Sequence, residues 1–162
     1  YAYPPGRNVI DVDFVNNTPS LSYDVNFSSG GTYYLWLKAM SVNGSGDSVH
    51  FGIDGGATSS GSNTCAVVVI GTSFGWQSAT VVGRPMITVP SSGTHTIDLW
   101  MREDGMQIDR VLLTTDENYD PTIIEPSESS HSPADLSADI NYDGIVDTLD
   151  FAVFADQWAE GL

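Results

Sequence analysis

From Arg7 to about Leu113, apolar side chains recur at every second residue in short runs, and clusters of Gly, Ser, Asn and Asp separate the runs. A repeat of two is the signature of a strand with one face in a core and the other in water, and no 3.6-residue stripe competes with it. Leu21, Tyr23, Val25 and Phe27 alternate with Ser22, Asp24 and Asn26, and Val49, Phe51 and Ile53 repeat the pattern before an Asp54-Gly55 turn. Tyr33-Tyr34-Leu35-Trp36-Leu37 is apolar at every position, which predicts a central strand covered on both faces, with Trp36 in the core. Cys65–Ile70, Ala79–Val82, Met86–Val89, Thr96–Met101 and Ile108–Leu113 bring the expected total to about eight to ten strands. The predicted fold is therefore all-β, an antiparallel β-sandwich of the jelly-roll type.

Length and charge limit what such a sandwich can do. With 162 residues, 41% of them hydrophobic, the chain can build one core plus an appendage. Five Lys and Arg stand against 21 Asp and Glu, a formal charge of −16, which repels nucleic acid and anionic membrane surfaces. A membrane-spanning helix needs about 20 apolar residues, and the longest apolar run, Cys65–Ile70, falls far short. The chain opens at Tyr1 without Met, as a mature or trimmed product would, and carries sequons at Asn16, Asn26 and Asn43. The expected location is extracellular. Cys65 is the only cysteine and reads as a small buried hydrophobe.

Composition changes after Leu113. Pro121, Pro126 and Pro133, with Ser127, Glu128, Ser129 and Ser130, make a spacer, and the last 52 residues hold 12 acidic side chains and no Lys or Arg. The expected organisation is a sandwich over residues 1–120, a spacer over 121–137 and a calcium-binding loop and helix over 138–162. In that last segment Asp139, Asn141, Asp143, Asp147 and Asp150 occupy loop positions 1, 3, 5, 9 and 12, with Gly144 at position 6 and the Ile145 carbonyl at position 7. That is how a short loop wraps Ca²⁺ in hard oxygen ligands. Position 12 is Asp rather than Glu, so its reach to the ion is shorter. Phe151, Phe154, Ala155 and Trp158 follow at three- and four-residue spacing, one apolar stripe of a helix that must dock on a partner surface.

The segment from Ala138 to Leu162 resembles a single repeat of the type I dockerin family, whose calcium loop-helix repeats bind cohesin domains; the resemblance implies Ca²⁺ as cofactor and a protein partner. The runs Gly31–Ala39, Asp47-Ser48-Val49, Gly93-Thr94-His95-Thr96 and Arg102-Glu103-Asp104-Gly105 through Asp109 resemble carbohydrate-binding modules of families 6 and 35. That resemblance implies non-catalytic binding of a glycan on aromatic side chains, at loop tips or on a sheet face.

A sugar site needs an aromatic face flanked by groups that bond hydroxyls. Trp76 lies in a loop between Gly75 and Gln77. Trp100 shares the face opposite Ile97, Leu99 and Met101 with Thr96, Asp98 and Arg102. Trp76, Trp100, Asp98 and Arg102 are thus the glycan-binding candidates, with coverage of a sheet face as the alternative role of each Trp. Asp104-Gly105 reads as a hairpin turn. Gly71-Thr72-Ser73-Phe74-Gly75 spells a nucleophile elbow, but the residues after it form no helix, and no catalytic role is expected. Two functions remain: a secreted glycan-binding module with a calcium-dependent docking tail, or a self-assembling extracellular filament subunit that packs its tail or a terminal strand into the neighbouring copy.

Overall fold

A computed structural model describes residues 13–59, 64–68 and 70–129. The chain divides into two units, residues 1–124 and 125–162. The first opens with a short helix α1 (Phe14–Asn17), followed by strands β1 (Ser20–Phe27), β2 (Gly31–Met40), β3 (Ser48–Ile53), β4 (Gly56–Ala57), β5 (Ala66–Val67), β6 (Gly75–Gln77), β7 (Met86–Val89), β8 (Gly93–Met101) and β9 (Gln107–Thr114).

Two antiparallel sheets share these strands. In the first, β1, β8, β3 and β4 lie in that order and β5 also pairs with β3. In the second, β2 is central: β9 runs along one side, and β6 and β7 share the other, pairing with Leu37–Ala39 and Gly31–Tyr34 respectively. The alternation expected of a half-buried strand is clean in β2, where Tyr33, Leu35, Leu37 and Ala39 are buried and the residues between them half-buried. These four meet Val49, Phe51, Ile97 and Leu99 of the first sheet, and Ile87 and Val89, in one core. Each such side chain contributes about 1.5–3 kcal/mol when fully withdrawn from water. The all-β, two-sheet architecture is the one the alternation implies.

Several local expectations are corrected. The inner face of β1 is only partly covered: Phe27 is buried, but Leu21 and Tyr23 are 47% and 42% exposed. Beside Leu21 a groove of about 790 Å³ opens, lined among others by Val49, Leu99, Met101, Met106 and Ile108. Ala79–Val82 leads into a tight turn in which the Thr80 amide bonds the Gly83 carbonyl, leaving Val81 and Val82 on the surface. Asp104-Gly105 is not a hairpin turn, because β8 and β9 belong to different sheets and the connection arches between them. Asp54-Gly55 does close a hairpin, between β3 and β4, with positive φ at both residues (52° and 74°) as a tight two-residue turn demands.

Candidate functional site

The outward face of β2 carries Tyr34, Trp36, Lys38 and Met40, all half-buried. Register decides what stands beside them, since directly opposed residues of paired strands share a face. Lys38 is opposed by Trp76 on β6 and by Arg110 on β9, Trp36 by Leu112, and Tyr34 by Met86 and Thr114. A bulge between Lys38 and Ala39 leaves Asp109 unpaired in β9. Its carboxylate lies 3.8 Å from both Lys38 Nζ and Arg110 Nε.

Arg84 spans this aromatic row. Its guanidinium carbon stands 5.0 Å from the Tyr34 ring centre and 5.1 Å from that of Trp36, within range for cation–π attraction. Nε donates to Ser78 Oγ at 3.4 Å and Nη1 to the Glu117 carbonyl. Tyr34 Oη donates to Glu117 Oε2 at 3.2 Å. Desolvation and the Glu117 carboxylate both push the Tyr34 phenol above its usual pKa, so it stays a neutral donor. Three buried donors on this face lack a hydrogen-bond partner among the described residues: Trp36 Nε1, Trp76 Nε1 and Arg84 Nη2. A buried donor without an acceptor costs about 1–3 kcal/mol, and an orphan cluster on a sheet face is where a ligand or water would restore the bonds.

The outer face of the first sheet is closed around His50 and Trp100. Phe14 from α1 stacks on the His50 ring at a centroid distance of 3.9 Å and meets Trp100 edge-on at 5.7 Å. Trp100 is only 3% exposed, and its ring lies so close to Gly52 that a Cβ there would come within 2.8 Å of it. Burial and the nearby Arg102 charge lower the His50 pKa from 6.5 to about 4, so the imidazole stays neutral. Beyond it, Glu103 accepts hydrogen bonds from Ser48 Oγ and Arg102 Nη1, both at 2.6 Å, and from the Asp47 amide at 3.2 Å. Burial and Glu103 raise the Asp47 carboxyl, and burial raises the Cys65 thiol. The Asp98 carboxylate accepts from Ser22 Oγ at 2.6 Å and from the Gly55 amide at 2.9 Å.

Three of the four expected glycan contacts therefore fall elsewhere. Trp100, Asp98 and Arg102 are sealed under Phe14 or tied into buried hydrogen bonds, so Trp100 offers no open ring, and Trp100 covers its sheet face instead. Trp76 does sit on an aromatic face, with Trp36 and Tyr34, which the sequence had placed under a covered strand. The signal that could have found them is Lys38: a cation two residues after Trp36 on the same face marks that face as turned toward water. The elbow-like Gly71–Gly75 runs into strand β6, not a helix.

Asp139, Asn141, Asp143, Ile145, Asp147 and Asp150, and the stripe Phe151, Phe154, Ala155 and Trp158, lie outside the described residues. Among the described residues no three His, Cys, Asp or Glu side chains gather as a metal site, and no helix is long and apolar enough to cross a membrane.

Residues 6–128 match the model of the glycosyl hydrolase family 115 C-terminal domain. In an alignment that covers 68% of its length, the chain is 32% identical to Uncharacterized protein P23 of Formosa agariphila, of which it spans 29%. It is also similar to a GH26-CBM35 β-(1,4)-mannanase of Podospora anserina, with a TM-score of 0.47 and 15% identity, covering 65% of this chain and 21% of that one. In both cases it spans less than a third of the other protein's length.

Proposed function

Because the chain belongs to the glycosyl hydrolase family 115 C-terminal domain family, we propose that it is a non-catalytic glycan-binding domain working outside the cell, and that it binds through the face built by Tyr34, Trp36 and Trp76. The observation that carries this reading is the half-buried row of Tyr34, Trp36 and Trp76 on the outward face of β2, with Lys38 and Arg84 beside it. Indole rings supply apolar area for the C–H side of a pyranose, while N–H and guanidinium groups bond ring substituents. The face presents rings and donors rather than a nucleophile held against a base, which suits binding better than bond cleavage.

Affinity electrophoresis of the full chain through gels containing soluble plant and algal polysaccharides tests this. Retention by at least one polymer is expected. Trp76→Ala should weaken that retention by about tenfold or more, since stripping an aromatic anchor removes both area and a donor. Trp100→Phe, changed on the sealed face, should migrate as the parent does. Equal retention of parent and Trp76→Ala would remove the face from the function.

For the tail, we propose that Asp139, Asn141, Asp143, the Ile145 carbonyl, Asp147 and Asp150 hold Ca²⁺ and that Phe151, Phe154, Ala155 and Trp158 then dock on a protein partner. The spacing of oxygen ligands supports it. Titration calorimetry should show one Ca²⁺ bound per chain, lost in Asp139→Ala with Asp143→Ala; a flat titration of the parent would refute the assignment.

A further inference from the structure

Asn43 is followed by Gly44, the only Asn-Gly pair in the chain. Such a pair can react with itself, because the second residue has no side chain to keep its backbone nitrogen from the asparagine amide carbon. The pair lies between β2 and β3, in a turn where Asn43, Gly44 and Ser45 are exposed. The Asn43 main-chain carbonyl accepts from Ser41 Oγ at 2.7 Å and from the Gly46 amide at 3.4 Å, so the turn hangs from a serine that is itself buried.

Local geometry favours the reaction here. Asn43 Oδ1 accepts from the Ser45 amide at 2.9 Å. That donor polarises the side-chain carbonyl and stabilises the negative charge its oxygen gains when the carbon is attacked. Among the described residues nothing accepts from the Gly44 amide. The nearest atoms to a Cβ added at Gly44 are Ile70 Cδ1 at 3.6 Å and Asp47 Oδ2 at 3.8 Å, so the approach is open. Asp54-Gly55 offers the contrast. Asp54 Oδ1 accepts from the Thr96 amide at 3.0 Å and Oδ2 lies 2.7 Å from His95 Nδ1, which hold the carboxyl in its charged, unreactive form below its usual pKa. The Gly55 amide is already donated to Asp98 Oδ2 at 2.9 Å.

We propose that Asn43 is a self-modifying site that converts to a mixture of aspartate and isoaspartate with water as the only co-reactant. The Gly44 nitrogen bonds to Asn43 Cγ and gives its proton to the departing Nδ2, the Cγ–Nδ2 bond breaks, and ammonia leaves. Water then opens the resulting five-membered imide. Attack at Cγ restores the main chain with an aspartate side chain. Attack at the Asn43 main-chain carbonyl carbon routes the main chain through Cγ and leaves isoaspartate. One amide and one water become one carboxylate and one ammonium ion, with nothing oxidised or reduced.

The product bears on the fold. Isoaspartate adds a methylene to the backbone of a loop with no slack: Gly46 packs on the Asp104 carbonyl where a Cβ has no room, and the Asp47 amide donates to Glu103 Oε2 at 3.2 Å. The modified turn therefore pulls on the buried Glu103 cluster.

The purified full chain, produced without N-glycosylation, is held for weeks in mildly alkaline buffer at physiological temperature. Its tryptic peptides are sequenced by electron-transfer fragmentation, which separates isoaspartate from aspartate. The mass rise of an amide-to-acid exchange, with isoaspartate, is expected at Asn43 ahead of the exposed Asn16, Asn26 and Asn118, while Asp54 stays unchanged. Gly44→Ala should slow the loss of the Asn43 amide by about tenfold or more. Gly44 has no positive φ and an added Cβ finds open room, so the urea midpoint of this variant should match that of the fresh parent. The aged parent should unfold at lower urea than the fresh one. An Asn43 that outlasts or merely matches the other asparagines overturns the site, as does a Gly44→Ala chain that converts at the parent's rate. Isoaspartate forming equally at Asp54 overturns the role given to the local hydrogen bonds, and an aged chain with an unshifted midpoint overturns the link to Glu103.

Discussion

Glu103→Ala is expected to lower unfolding free energy by about 3–5 kcal/mol, the usual cost of removing one partner from a buried ion pair and leaving the other charge stranded. Glu103 is 8% exposed and the Arg102 side chain 9%. The carboxylate serves three donors at once, the Arg102 guanidinium, the Ser48 hydroxyl and the Asp47 amide. It thereby ties the arch after β8 to the loop before β3. Without it, the buried Arg102 guanidinium is left with the Ser48 hydroxyl as its acceptor. Glu103→Gln preserves shape and one acceptor oxygen and should lose less. Urea unfolding followed by tryptophan fluorescence measures both, with an unchanged m-value showing that the denatured state is not what moved. A loss under about 1 kcal/mol for Glu103→Ala would mean that the pair is solvated.

Stability should also fall on mild acidification, through His50. The imidazole is 1% exposed, stacked under Phe14, and has a pKa of about 4 against 6.5 when free. A basic group with a depressed folded pKa favours the folded state fully above pH 6.5. That contribution drains away as pH drops from 6.5 toward 4, because the unfolded chain takes up the proton first. Its size is on the order of 3 kcal/mol. Asp47 opposes this in part, since a carboxyl raised by burial and by Glu103 binds its proton more readily folded than unfolded. Asp54, lowered by the Thr96 amide and by His95, loses its contribution only below its ordinary value of 3.8. Comparing parent with His50→Phe, which keeps a ring under Phe14, isolates the histidine: the parent should lose stability between pH 7 and 4.5 and the variant should lose much less. Parallel curves would show that His50 stays protonated without penalty.

The strands were legible because burial on one face writes itself into every second residue. Ile97 and Leu99 stand in the core where alternation puts them, as do Val49 and Phe51. The Asp54-Gly55 turn was legible because few residue pairs accept positive φ twice in succession. What alternation does not record is the fate of the outward face. Trp100 and Trp36 occupy the same kind of position, yet Phe14, more than eighty residues before Trp100, closes one face and nothing among the described residues stacks over the other except Arg84. That choice is made by contacts remote in sequence, so Trp36 was expected in the core, and Trp100 stood open between a sugar contact and coverage of its sheet face, the role it takes. The Glu103 cluster was hidden for the same reason: Arg102-Glu103-Asp104 looks like a turn until Ser48 is brought beside it. The oxygen-ligand spacing of residues 139–150, by contrast, is a purely local pattern, and it lies outside the described residues.

The unequal treatment of the two outer faces bears on how such a chain can change over generations. On the sheet that Phe14 closes, a substitution at Trp100, His50 or Gly52 disturbs packing, so drift there is purged through loss of fold. On the face of β2 the same alteration leaves the core beneath untouched, because Leu35 and Leu37 point the other way. Trp36, Lys38, Trp76 and Arg84 can therefore change with less damage to the scaffold than His50, Gly52 or Trp100, which pack against Phe14 and one another.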